Sequence, residues 1–463
     1  MRRREFVAAG ALGLAGSALP GGLSAAVRSP RPSHAQLAWQ RRELALFLHF
    51  GVNTFTDREW GDGTEDPRIF DPSALDARQW TRAARAGGFR TVILTAKHHD
   101  GFCLWPSRLT RHSVASSPWR RGRGDVVREL ADAARNDGLR LGLYLSPWDR
   151  HEPSYGSGDR YNDFYCAQLE ELLTGYGPVT EVWFDGANGE GPNGRRQAYD
   201  WPRIHGVVRG HQPHAVIFSD AGPDIRWAGN ERGEAGDPNW CTVNPAAVPF
   251  PGASGDQVTS ALLHGDPDGT AWRPAECDVS IRPGWFWHPA EDGQVRSVDN
   301  LVDLYLTSVG RNSGLLLNVP PTREGLLHPT DVERLAGFDR RRRDVFDADL
   351  ARGTRVVSRS SSRDGRALDL ELALPRPVAF DVVSLAERIE LGQSIDRYAV
   401  EHWDGGWRPL TEGTTIGHRK MDRVAPVTAG RLRVTLTSRR GPPRLAGLAL
   451  HRLGASAGPG AGS

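Results

Sequence analysis

Lysine and cysteine are both scarce in this chain. Of 463 residues only Lys97 and Lys420 are lysine, so nearly every cation is an arginine, and 58 basic residues stand against 56 acidic ones. Removing Arg2, Arg3, Arg4 and Glu5 with an N-terminal leader brings the two signs level. A chain with no surplus of positive charge gives no electrostatic reason to expect a nucleic-acid or anionic-membrane partner. The four cysteines, Cys103, Cys166, Cys241 and Cys277, lie far apart and fit no zinc spacing. They leave two disulfides or four buried thiols open, and in neither case does a disulfide scaffold hold a chain of this length together. After the first 26 residues there is no candidate membrane segment.

Apolar residues are plentiful at 39%, enough for sizeable cores, and the length suits one large barrel plus a small domain better than three equal units. The N-terminus reads Arg2-Arg3-Arg4-Glu5-Phe6-Val7, then an Ala/Gly/Leu run to about Ala26. A charged start before a modestly apolar, glycine-rich stretch is an export signal over residues 1–26, of the twin-arginine kind. Ser24, Ala25 and Ala26 offer a cleavage site. The expectation is a periplasmic or extracellular protein with no membrane insertion after processing.

From residue 33 to about 350, short apolar runs alternate with longer amphipathic ones, which is the mark of a parallel βα sheet. Strands are expected over 44–52, 91–96, 139–145, 179–184, 215–218 and 315–319, with a weak one near 278–281. Seven runs of this kind imply a (β/α)8-like barrel with one strand hidden. Residues 239–274, rich in Pro, Gly and Asp, read as a long loop on the active face. Beyond residue 350 the pattern changes to period two, with strands over 368–374, 379–385, 398–403 and 432–436, so residues 351–453 read as an all-β sandwich. Residues 454–463 read as a disordered tail.

The run Val179-Thr180-Glu181-Val182-Trp183-Phe184-Asp185-Gly186 is a buried strand that delivers Asp185 to a loop. Other barrel strands end in the same way: His49-Phe50-Gly51, Lys97-His98-His99-Asp100-Gly101, and Tyr144-Leu145-Ser146. In a parallel barrel these ends form the catalytic face. Two chemistries suit them. A glycosidase would use two carboxylates while neutral histidines and Tyr hold hydroxyls, whereas a metal hydrolase would use His49, His98, His99, Asp100 and Asp185 as ligands. Fifteen tryptophans, among them Trp60, Trp148, Trp183, Trp227 and Trp285 at or beside strand ends, favour the sugar, because a pyranose needs an aromatic face and a metal does not.

With these residues in view, residues 34–335 resemble the α-L-fucosidases of glycoside hydrolase family 29. The segments that carry the resemblance are Phe47-Leu48-His49-Phe50-Gly51, Lys97-His98-His99-Asp100-Gly101-Phe102, Val182-Trp183-Phe184-Asp185-Gly186-Ala187, Gly284-Trp285-Phe286-Trp287-His288-Pro289 and Gly310-Arg311-Asn312-Ser313-Gly314. The resemblance implies a barrel followed by a sandwich and a retaining two-step mechanism; from the residues themselves no metal or cofactor is expected. It implies Asp185 as nucleophile, with fucose contacts at His49, Trp60, His98, His99, Tyr144, Trp183 and Arg226. Arg226-Trp227-Ala228-Gly229-Asn230-Glu231 resembles the branch that prefers α-1,3/1,4-linked fucose, with Glu231 as acid/base, while Glu234 and Glu276 remain alternatives. The substrate implied is a fucosylated oligosaccharide or glycoconjugate. A catalytically silent fucose-binding protein on the same scaffold is the rival reading. The sandwich resembles galactose-binding-like jelly rolls, and a buttressing role is expected for it.

Overall fold

The computed structural model describes residues 30–454. The leader over 1–26 and all but the first residue of the 454–463 tail lie outside them. The chain divides into two compact units, one over Pro32–Ala348 and one over Asp349–Leu453.

Eight parallel strands build the first unit: β1 (Leu44–Leu48), β2 (Thr91–Lys97), β3 (Arg140–Leu145), β4 (Val179–Trp183), β5 (Val216–Phe218), β6 (Arg226–Trp227), β7 (Ala275–Ser280) and β8 (Ser313–Asn318). Their order around the sheet is β5-β4-β3-β2-β1-β8-β7-β6. The two ends meet through a parallel bridge between Phe218 and Ile225, so the barrel is nearly closed. The hidden strand is β6. Two residues are too few to show a period, and this is why no strand is expected from the sequence at Arg226 and Trp227. The weak run near 278–281 belongs to β7, which starts at Ala275.

Most barrel strands are buried on both faces, as expected where helices cover the outside. Asp76 and Asp125 start two of these helices by accepting from the N–H of Arg78 and Arg128, and Gly138 ends the second at φ 70°, a conformation that glycine adopts without a Cβ penalty. The barrel interior is a ring-rich core of Phe47, Tyr144, Trp183 and Phe218 with Ile93, Val216 and Leu316. Residues 239–274 are more ordered than expected: they carry a helix, Asp256–His264, and a two-stranded antiparallel ribbon of Thr242–Val243 with Ala271–Trp272. All four cysteines are free thiols, buried. Among the described residues no helix is long and apolar enough to cross a membrane.

The second unit is one antiparallel sheet of β9 (Arg355–Ser361), β10 (Ala367–Glu387), β11 (Arg397–Trp403), β12 (Trp407–Gly413), β13 (Lys420–Thr437) and β14 (Leu445–His451). The order is β9-β10-β13-β11-β12, with β14 also on β10. The two runs expected over 368–374 and 379–385 form the single strand β10, with register shifts against β13 between Ala373 and Val378 and between Phe380 and Val382. The sheet folds over itself, so that Leu368 and Leu372 from one half of β10 share a core with Val383, Leu385 and Leu450 from the other half and β14.

Candidate active site

A cavity of about 480 Å³ opens at the C-terminal ends of the barrel strands, within the usual size of a ligand pocket. Strand alternation explains what faces it. On β4, Glu181 and Trp183 share the inner face, and Asp185, two residues further on, stands at the rim. On β7, Glu276, Asp278 and Ser280 do the same. Phe47, His49, Trp60, His98, His99, Tyr144, Trp183, Asp185 and Glu231 all line the cavity.

Asp185 is held at both oxygens. Oδ1 accepts the Ala187 N–H at 2.7 Å and Oδ2 accepts the Tyr144 hydroxyl at 3.2 Å. Burial, with Asp185 beside it, pushes that phenol well above its ordinary range, so Tyr144 remains a donor. Gly186 is required at the next position, because a Cβ there would lie 2.1 Å from Asp220 Oδ2.

The hydrogen-bond network fixes the histidine tautomers. Asn318 donates its amide to Trp285 O at 2.8 Å and to Ser280 Oγ, so its Oδ1 is the acceptor of the 2.8 Å contact from His49 Nδ1. Ser146 gives its proton to Trp148 O, so its Oγ accepts from His99 Nδ1 at 2.7 Å. Both rings therefore carry hydrogen on Nδ1 and keep Nε2 as an acceptor. Burial drives His49 down to about 3 and lowers His98 and His99 as well, so all three are neutral. His98 Nδ1 has no partner among the described residues. Trp60 stands 57% exposed, edge-on to His99 and Trp148, as a ring at the cavity mouth.

Glu231 lies on the loop after β6, and its Oε2 accepts the Trp285 indole N–H at 3.3 Å. Its carboxyl is raised above the ordinary range, mainly by burial and further by Asp185 and Glu59, against the Trp285 hydrogen bond. Of the alternatives, Glu234 turns to Arg232 and does not line the cavity. Glu276 is wholly buried beneath Trp183, whose indole N–H it accepts at 3.0 Å, and does not line the cavity either.

Arg226 departs from expectation. Neighbours on a strand face opposite ways, so with Trp227 turned into the cavity Arg226 turns out of it. Its buried guanidinium donates to Leu262 O at 3.0 Å, to Asn239 Oδ1 and to Arg273 O. It is absent from the cavity wall, and it does not touch Asp185.

Three further carboxyls in the wall were missed in the sequence: Glu59, Asp220 and Asp278. Asp220 follows β5 as Asp185 follows β4, a signal that was present but unused. Burial, with Asp185 nearby, pushes it up to about 6 although the Gly252 N–H bonds it. Asp278 accepts the Trp227 indole N–H at 2.7 Å and is held well above its ordinary range by burial, with Glu231 and Asp185 adding to it. Glu59 receives the backbone N–H groups of Trp285 and Phe286 at 2.9 and 3.0 Å and His288 Nε2 at 2.7 Å, tying Trp285 in place. Among the described residues, no group of three or more His, Cys, Asp or Glu is arranged to hold a metal ion.

The site can thus present one fixed carboxylate, one carboxyl biased towards its acid form, and neutral acceptors set among rings. Comparison with known proteins agrees with that inventory. A family model described as Alpha-L-fucosidase matches residues 34–340. Over 451 residues the chain is 45% identical to alpha-L-fucosidase 1 of Arabidopsis thaliana, covering 91% of this chain and 87% of the plant protein. The crystal structure of SpGH29 superposes with a TM-score of 0.85 at 42% identity, over 92% of this chain and 98% of that one. A Ruminococcus gnavus GH29 fucosidase in complex with fucose gives a TM-score of 0.83 at 31% identity, over 93% and 97%.

Proposed function

The chain belongs to the alpha-L-fucosidase family, glycoside hydrolase family 29, and from that premise we propose that it releases terminal fucose from fucosylated oligosaccharides or glycoconjugates by a retaining double displacement. The observation that carries this reading is that Asp185 and Glu231 open on one aromatic-lined cavity with opposite preparation: Asp185 is braced at both oxygens, and Glu231 is raised towards its acid form. Fucose bound to the Ruminococcus gnavus relative supports the identity of the sugar.

In the first step Asp185 attacks the anomeric carbon. The glycosidic C–O bond breaks as Glu231 gives its proton to the leaving oxygen. In the second, Glu231 takes a proton from water, the hydroxide attacks the same carbon, and the ester to Asp185 breaks to free fucose. The Nε2 atoms of His49 and His99 accept sugar hydroxyls, His98 and Tyr144 add polar contacts, and Trp183 and Trp60 pack on apolar sugar faces. Gly229-Asn230-Glu231 on the loop after β6 supports a preference for α-1,3/1,4 linkages. The leader over 1–26 supports export to the periplasm or the medium, by the twin-arginine route.

The test is to incubate the protein with Lewis-type α-1,3/1,4-fucosylated oligosaccharides, with α-1,2-linked 2'-fucosyllactose and with an aryl fucoside. Release from the Lewis-type substrates and the aryl fucoside is expected, ahead of the α-1,2 glycan. Faster release from 2'-fucosyllactose overturns the linkage, and hydrolysis of none overturns the reading itself.

A further inference from the structure

Four indole N–H groups in or beside the barrel interior each donate to a carboxyl: Trp39 to Glu181 Oε2 at 3.1 Å, Trp183 to Glu276 Oε1 at 3.0 Å, Trp227 to Asp278 Oδ1 at 2.7 Å and Trp285 to Glu231 Oε2 at 3.3 Å. Two of these carboxyls, Glu181 on β4 and Glu276 on β7, lie together below the sugar cavity, wholly buried and within hydrogen-bonding reach of each other. Glu181 Oε1 has no donor among the described residues. An ionised carboxylate only accepts, so the two groups can be bonded only if one of them carries a proton.

The surrounding charges point the same way. Arg42 faces Glu181, with Arg140 close to Arg42. Asp278 faces Glu276 from the same strand, and Glu43, which takes the Tyr305 hydroxyl, lines the same small floor cavity. Glu276 thus has two buried carboxyls against it, Glu181 and Asp278, with Arg42 as the cation turned towards the Glu181–Glu276 pair, and full ionisation would leave a buried surplus of negative charge.

We propose that Glu181 and Glu276 share one proton, carried on Glu276 and donated to Glu181 Oε1, and that this pair is a positioning device that holds the Trp183 indole in the wall of the sugar pocket. Glu276 spends one oxygen on Trp183 and the other on Glu181, and Glu181 in turn is anchored by the Trp39 N–H and faces the charge of Arg42. The link from pair to pocket rests on Trp183 being a wall of the fucose site; the shared proton does not.

The carboxyl of Glu181 is pushed up to about 7, first by burial, and that of Glu276 well above its ordinary value, by burial and then by Glu181. The folded chain therefore keeps a proton that the unfolded chain gives up above the ordinary glutamate range. The stabilisation is complete below that range and is lost as pH rises through the folded value.

Glu276→Gln separates the possibilities. Its amide carbonyl can take the Trp183 N–H and its amide N–H can reach Glu181 Oε1, which reproduces the protonated pattern with no proton to lose. Between pH 5 and pH 8 the Tm of the wild type is expected to fall relative to that of E276Q by about 2 °C or more. The infrared spectrum at pH 8 is expected to show a buried carboxylic-acid carbonyl in the wild type that E276Q lacks. With an aryl fucoside, E276A should raise KM about tenfold, near the value of one lost hydrogen bond, and E276Q should restore it. Parallel Tm curves, or no acid carbonyl lost in E276Q, overturn the shared proton whether or not the protein turns over substrate. If E276A and E276Q raise KM equally, the positioning role is overturned. Should E276A fail to fold, an E276Q enzyme with wild-type KM supports the positioning role and one with a tenfold higher KM overturns it.

Discussion

Asp185 is braced by Tyr144 and Ala187, and Glu231 is biased towards its acid form by burial and by its neighbours. Asp185→Ala should keep the Tm of the wild type and lose at least about 10³-fold in kcat, with partial recovery of turnover by azide as a fucosyl azide. A variant that keeps a tenth of the activity rules Asp185 out as nucleophile. Glu231 should be separable from Glu234 by leaving group: Glu231→Ala slows a natural glycan far more than an aryl fucoside, while Glu234→Ala shows no such dependence, and the reverse pattern moves the proton to Glu234. The pH profile tests the same group. Trp285 stabilises the carboxylate form of Glu231, so Trp285→Phe should raise its pKa, and the alkaline fall of kcat/KM, where the acid is lost, should move to higher pH. A shift to lower pH contradicts the assignment. Most wall residues were legible because each follows an apolar run at the same address. Glu59 and Asp278 were not, since Glu59 sits in a loop without a period and Asp278 lies inside a strand whose alternation was weak; Asp220 stands at the same address after β5, but the turn signal of Gly222-Pro223 beside it masks that position.

At the scale of elements, β6 is where the sequence reading failed. Its two residues are strand only because β7 pairs with them at Ala275 and Glu276, a long-range partner that no local pattern reveals. The family resemblance implied Arg226 as a sugar ligand; as a strand residue next to inward-facing Trp227 it is part of the fold outside the pocket. Arg226→Met should therefore leave three buried oxygens without their donor and cost about 3 kcal/mol in a denaturant titration, with KM for an aryl fucoside unchanged in the folded fraction. A raised KM with unaltered stability would show that the guanidinium reaches substrate after all. The 239–274 segment is a related case: Pro, Gly and Asp dominate its composition, and the helix over Asp256–His264 has a single buried side chain, Leu262, so it carries little amphipathic signal.

For the molecule as a whole, the change from alternating helix and strand periods to period two near residue 350 was enough to separate a parallel barrel from an antiparallel sheet, because burial on one face or on two leaves different patterns in the chain. What such patterns cannot supply is the chemistry of the pocket, which depends on side chains that converge from seven barrel strands and the loops after them. Both Asp185 and Glu231 take part in the proposed double displacement, which inverts the anomeric carbon twice. The most direct measurement is the anomer released first, followed by proton NMR as an aryl α-L-fucoside is cleaved. The account predicts that α-L-fucose appears first and then mutarotates; β-L-fucose as the first product would contradict it.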